Sequence, residues 1–88
     1  MSEEERAAFR AAAATTIRVE AARASITQSV LAERAGVSTG AISYYWHGTR
    51  EPRLSDAAGI AEALGLDMVE FTRLIVVELA RGQEPTAG

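Results

Sequence analysis

Residues 27–52, TQSVLAERAGVSTGAISYYWHGTREP, constrain the fold of this chain more than any other stretch. Thr27 can cap one short helix, Gly36 can end it in a left-handed conformation, and Ser38 can cap a second helix two residues later. So short a connection forces the two adjacent helices to cross steeply. The segment therefore predicts a helix-turn-helix, an arrangement whose second helix is free to enter a DNA major groove.

Chain length and composition limit the classes of protein to which this chain can belong. Its 88 residues allow one small domain, and without cysteine it has neither a disulfide framework nor a thiolate metal site. The acidic opening lacks the features of a secretory signal, and no apolar run approaches the roughly 20 residues of a membrane span. We therefore expect a cytoplasmic protein that does not enter membranes.

Catalytic patterns are also missing from the sequence. There is no nucleophile motif, no phosphate-binding glycine loop and no spacing of metal ligands. His47 is the lone histidine, which makes it a poor candidate for a metal ligand or a catalytic base. We expect a non-enzymatic protein that needs no cofactor and no metal.

The charge is acidic overall but unevenly distributed. Nine arginines and 12 acidic residues give a net charge of −3, which disfavours non-specific DNA binding because that depends on cations at phosphates. Residues 27–53 carry three arginines and two glutamates, whereas residues 54–84 carry two arginines and six acidic residues. The acidity thus lies away from the helix-turn-helix, as expected of a surface that faces DNA.

Capping and breaking residues predict an all-α domain of five helices over residues 1–81, with a disordered tail over residues 82–88. The first helix is long, rich in alanine and free of glycine and proline, and its arginines are expected to be solvated. The predicted helices are Glu3 to about Ala24, Gln28 to Ala35, Ser38 to His47, a fourth capped by Ser55 through Leu64, and a fifth started by Asp67 and ending near Arg81.

The fifth helix is apolar over a wider arc than one core-facing stripe requires. An apolar surface of that breadth on a small domain usually contacts something. Two interpretations stay open, a self-association face or deeper packing against the first helix. The residues that extend the arc are Val69, Val76, Val77 and Ala80.

Helical periodicity separates the two faces of the predicted recognition helix. Ile42 and Tyr45, three residues apart, point inward. The outward positions include Tyr44, for which we expect a contact with the groove or with a phosphate. The complete outward set is Thr39, Gly40, Ser43, Tyr44 and His47.

The chain resembles the phage repressor and Cro, or XRE-type, helix-turn-helix family from about Ile17 to Phe71. The resemblance implies a λ-repressor-like fold and DNA binding. It is carried by Ile17-Arg18, Thr27-Gln28, Leu31-Ala32, Gly36-Val37-Ser38, Ile42-Ser43, Gly48, Pro52 and the Ile60/Leu64-Gly65-Leu66 pattern.

The resemblance also implies roles for individual residues. Gln28 matches a position that contacts a DNA phosphate and braces the recognition helix. Thr39, Gly40 and Tyr44 match positions that reach base edges. The other matching positions contact the DNA backbone, and they are Ser38, Ser43, Arg50 and Arg53, with His47 expected at a phosphate or as a cap of the helix C-terminus.

Two functions follow as expectations. The first is a sequence-specific regulator of transcription, a small phage or bacterial repressor that binds double-stranded DNA as a homodimer. Its two recognition helices would read half-sites one helical turn, roughly 34 Å, apart. The second is a protein-interaction module on the same fold, an antitoxin or adaptor that grips a protein through the fifth helix or the surface around Tyr44.

Overall fold

The computed structural model describes residues 1–83, which form five α-helices and no strand. The predicted all-α, λ-repressor-like architecture is confirmed. Gly82 belongs to the last helix and Gln83 is its C-cap, whereas the rest of the predicted tail, residues 84–88, lies outside the described residues. The helices are α1 (Glu3–Arg23), α2 (Gln28–Ala35), α3 (Thr39–His47), α4 (Leu54–Ala63) and α5 (Met68–Gly82).

Local capping explains where most of the helices begin. Ser2 and Glu5 form a reciprocal capping box at the start of α1, with nitrogen–oxygen distances of 3.1 and 3.2 Å. The Thr27 hydroxyl accepts from the Val30 N–H at the start of α2, and the Asp67 carboxylate accepts from the Glu70 N–H at the start of α5. All three caps are at the residues predicted from the sequence.

The predicted start of α4 is wrong. The helix begins at Leu54, with Arg53 as an N-cap that makes no side-chain capping bond, so Ser55 lies inside the first turn. The earlier start moves Asp56 from the first to the third position of the first turn, where its carboxylate is still favoured by the helix dipole and accepts a hydrogen bond from Tyr45. The start of α4, which the local sequence did not predict, is thus accompanied by a hydrogen bond from Tyr45 of α3.

A single apolar core joins all five helices. Its fully buried large side chains come from each of them, and α1 packs against both α3 and α5. The helix-turn-helix therefore rests on a platform formed by α1 and α4. The core side chains with the least exposure are Ile17, Leu31, Ile42, Ile60 and Phe71.

None of the helices in residues 1–83 has the length and apolar character that a membrane crossing requires.

Candidate DNA-binding surface

The recognition helix α3 is fixed at both ends by the residues that the sequence singled out. The Ser38 hydroxyl accepts from the Ala41 N–H at 3.1 Å, and Gly48 ends the helix with φ of 76°. Ile42 and Tyr45 are buried beneath it. The helix is therefore held against the core along one side, and its other side is left for a partner.

The outward side of α3 carries the residues predicted to contact DNA. Thr39, Gly40 and His47 are exposed, Ser43 is half-buried, and Tyr44 keeps 43% of its surface exposed. A Cβ added to Gly40 would meet nothing within 4 Å. The fold does not require a glycine at this position, so its bare backbone is open to whatever lies against α3.

The first turns of α2 and α3 present further hydrogen-bond donors. In α3 the Ala41 and Ile42 N–H groups bond to Ser38, which leaves the N–H groups of Thr39 and Gly40 without an intrahelical acceptor. Gln28, at the first position of α2, is half-buried and makes no side-chain hydrogen bond within residues 1–83. Such donors at helix N-termini suit phosphate oxygens.

The arginines near the helix-turn-helix differ from those elsewhere. Most of the other arginines are held by a neighbouring carboxylate or carbonyl, for example Arg73 by Glu70 at 2.8 Å. The three arginines of residues 27–53 form no ion pair with a carboxylate of residues 1–83. They are Arg34, Arg50 and Arg53. These guanidinium groups are therefore not engaged by carboxylates on the side of the chain where DNA binding is expected.

Two of the predicted contact residues form one unit in the structure. The Arg50 guanidinium lies over the Tyr44 ring, with its carbon 4.1 Å from the ring centroid. The Tyr44 carbonyl accepts from the Thr49 N–H at 3.0 Å and from the Arg50 N–H at 3.4 Å. Nothing in the spacing of these residues indicated the stack.

Arg18 is a supporting residue that sequence reasoning missed. It was expected to be solvated, but its guanidinium donates to the Trp46 carbonyl at 2.5 Å and to the Thr15 hydroxyl at 3.4 Å. Because Trp46 lies in the last turn of α3, where carbonyls lack intrahelical partners, Arg18 caps the recognition helix from α1. Only the packing of α1 against α3 creates this contact.

Tyr45 is tied to α4 beneath the recognition helix. Its hydroxyl donates to the Asp56 carboxylate at 2.5 Å. Burial, followed by this hydrogen bond, raises the pKa of the Tyr45 phenol. The bond fixes the inner side of α3 against the start of α4.

The apolar arc of α5 is exposed rather than buried. Val69, Val76 and Val77 keep 79%, 50% and 41% of their surfaces exposed, and Ala80 is exposed as well. These side chains are therefore left largely uncovered by α1 in residues 1–83. The core-facing side of α5 is formed by others, with Phe71 fully buried.

These features define a class of protein. Two short helices joined at a left-handed glycine, with the polar edge of the second exposed and the pair packed on α1 and α4, form a helix-turn-helix DNA-binding domain. Residues 18–71 match the family described as Helix-turn-helix, and the chain belongs to this family, which is of the XRE, Cro and CI type. It is a non-enzymatic family of DNA-binding regulators, as the sequence led us to expect.

Solved structures agree with this assignment. The chain is similar to the clp gene regulator ClgR from Corynebacterium glutamicum, with 26% identity and a TM-score of 0.76 over 84% of this chain and 79% of that one. A second ClgR structure from C. glutamicum matches at 26% identity with a TM-score of 0.70, over 86% of this chain and 94% of that one. No curated protein sequence matches the chain significantly.

Proposed function

We propose that this protein is a sequence-specific regulator of transcription, a small repressor of phage or bacterial type that acts on DNA in the cytoplasm. The recognition helix α3 would lie in the major groove with its first turn against the base edges. The observation that carries the proposal is the open edge of α3, whose polar side chains and first N–H groups donate no hydrogen bond within residues 1–83. Similarity to a clp gene regulator supports the same class of function.

The contacts divide by chemistry. Thr39 can read a base through its hydroxyl or place its methyl against thymine, and Gly40 allows the backbone to approach the groove closely. The donors that suit phosphates flank this edge on both sides. They are Gln28, Ser38, Ser43, His47, Arg50 and Arg53.

The low positive charge of the binding surface favours a homodimer. Three uncompensated arginines give a single copy little non-specific affinity, so specific binding gains from two copies on a palindromic operator. The exposed α5 face, formed by Val69, Val76, Val77 and Ala80, is the surface that we propose joins them. Its apolar character makes it the part of the described chain best suited to self-association.

The same face favours one rival function. An antitoxin or adaptor would use the apolar α5 face, or the surface around Tyr44, to bind another protein while keeping the fold. Such a protein need not bind duplex DNA. Selection of DNA therefore separates the two functions.

The decisive experiment is selection of bound sequences from random duplex DNA with the full chain. We expect enrichment of a two-fold symmetric site, and a binding constant for that site that falls with salt in a linear log–log relation. Enrichment of no sequence, together with a stable complex with another protein, would favour the rival.

Alanine variants then test the assigned contacts on the selected site. Binding should be weakened by each of three changes, Gln28→Ala, Arg50→Ala and Arg53→Ala. Each arginine variant should also reduce the slope of the log–log salt dependence by the amount expected for about one phosphate contact. Arg6→Ala is the matched control, because Arg6 is exposed near the start of α1, outside both the helix-turn-helix and the α5 face. Unchanged affinity in all three test variants would contradict the assigned surface.

A further inference from the structure

We infer that Tyr44 is a positioning residue for Arg50, so that the two side chains form one phosphate clamp and Tyr44 does not itself read a base. The inference rests on the proposed DNA binding and assigns a specific role to one position of the recognition helix. It differs from the role that the family resemblance implies for Tyr44.

The geometry joins the two residues twice. The planar guanidinium of Arg50 covers the Tyr44 ring at 4.1 Å from the centroid. Gly48, with its left-handed backbone, reverses the chain, so that the Thr49 and Arg50 N–H groups and the Thr49 hydroxyl all reach the Tyr44 carbonyl, at 3.0, 3.4 and 3.3 Å. The main chain of the loop is thus attached to the same residue whose ring supports the cation.

The arrangement leaves Arg50 ready to bind an anion. A guanidinium stacked on an aromatic face keeps the N–H groups along its edge free, and these can grip a phosphate with two parallel hydrogen bonds. Arg50 forms no ion pair with a carboxylate of residues 1–83. The stack therefore restricts a long, flexible side chain without consuming the donors that would contact DNA.

The face of Tyr44 that carries Arg50 is not available to a base. A base contact would need either the remaining part of the ring or the hydroxyl, whereas support of Arg50 needs only the aromatic face. The distinction predicts that Phe can replace Tyr44 and that an aliphatic side chain cannot. It also predicts that loss of the ring weakens binding to all sequences alike.

The test is a double-mutant cycle on the site selected from random DNA. Tyr44→Leu should weaken binding about two- to fivefold and reduce the salt slope, while leaving the relative preference for each base pair unchanged. In the Arg50→Ala background the same change should have less than about a twofold effect. Tyr44→Phe should bind within about twofold of the original protein.

Arg53 provides the matched control, because it lies in the same loop and its guanidinium stacks on no aromatic ring in residues 1–83. In the Arg53→Ala background, Tyr44→Leu should keep its full effect. An effect of Tyr44→Leu that is equal in all backgrounds would overturn the inference, and so would a changed preference at one base pair with an unaltered salt slope.

A measurement without DNA separates this inference from the proposed function. The ring current of Tyr44 should shift the Arg50 side-chain protons upfield in the NMR spectrum, and Tyr44→Leu should remove the shift. If random DNA yields no site, the proposed function fails and the phosphate role fails with it. If a site is found and the upfield shift is absent, the regulator stands and the positioning role is overturned.

Discussion

At the scale of the residue, Tyr45 shows how a side chain on the inner face of the recognition helix combines packing with a polar contact. Its ring is buried in the core, and its hydroxyl donates to Asp56 at 2.5 Å. The helical period predicted the inward direction, whereas the position of its partner Asp56 depends on how α4 packs into the shared core. Tyr45 therefore links the recognition helix to its platform as well as filling the core.

The raised pKa of Tyr45 predicts a loss of stability in alkali. Because the folded state holds the phenol proton more tightly than the unfolded state, this stabilisation is complete below the unfolded pKa of about 10 and is lost as the pH rises through the folded pKa. The chain has no lysine and no cysteine, so few other groups titrate there. We expect the free energy of unfolding, measured by urea denaturation, to fall as the pH rises above about 10.

Two phenylalanine variants assign this fall to one residue. Tyr45→Phe should lower the free energy of unfolding at pH 7 by about 1–2 kcal/mol through loss of the hydrogen bond, and should make the alkaline fall shallower. Tyr44→Phe, at the exposed tyrosine, should retain the fall. A Tyr45→Phe protein with the same pH dependence as the original would show that Tyr45 is not the responsible group.

At the scale of the element, the crossing of α2 and α4 depends on a glycine. A Cβ added to Gly59 would collide with the carbonyl oxygen of Ala35, so the two helix backbones approach more closely than any side chain at this position would allow. Glycine inside a helix costs about 0.5–1 kcal/mol relative to alanine. In α4 this cost is offset by the close packing that it permits.

Two glycine-to-alanine substitutions should therefore have opposite signs. Gly59→Ala should lower the free energy of unfolding by about 1–3 kcal/mol, because the helices must move apart. Gly40→Ala, where a Cβ meets open space, should raise it by about 0.5–1 kcal/mol. Urea denaturation measures both, and a stabilising Gly59→Ala would show that the crossing can adjust without cost.

The distance along the chain over which an interaction acts explains how much of the fold the sequence could predict. Caps at Thr27, Ser38 and Asp67 act within three residues, so five helices and the open edge of α3 were predictable from local chemistry. The start of α4 was not, because its N-cap Arg53 makes no side-chain capping bond that the local sequence could indicate. Contacts between distant parts of the chain could not be predicted from the sequence either, for example the hydrogen bond by which Arg18 caps the recognition helix.

At the scale of the whole molecule, charge and apolar surface are separated. The uncompensated arginines near the helix-turn-helix contrast with α5, where Arg73 and Arg81 are each paired with a glutamate three residues away. These local pairs leave the apolar residues of α5 between charges that are already neutralised. A second copy could cover this face without burying an unpaired charge, which would cost far more than it gained.

The proposed dimer predicts the effect of one charge on the α5 face. Val76 lies seven residues after Val69, so the two share a side of the helix, and Val76 is half exposed. Val76→Glu should leave the helix content unchanged, because the side chain is outside the core. It should halve the mass found by sedimentation, from twice 9.4 kDa to 9.4 kDa, since two glutamates would be brought together at a two-fold axis.

Ala58→Glu, an exposed change on α4, adds the same charge and should leave the dimer intact. On a palindromic operator the monomeric variant should lose cooperative occupation of the two half-sites while keeping its salt dependence per half-site. A protein that sediments at 9.4 kDa before any substitution would rule out the dimer and would leave the apolar α5 face to a different partner.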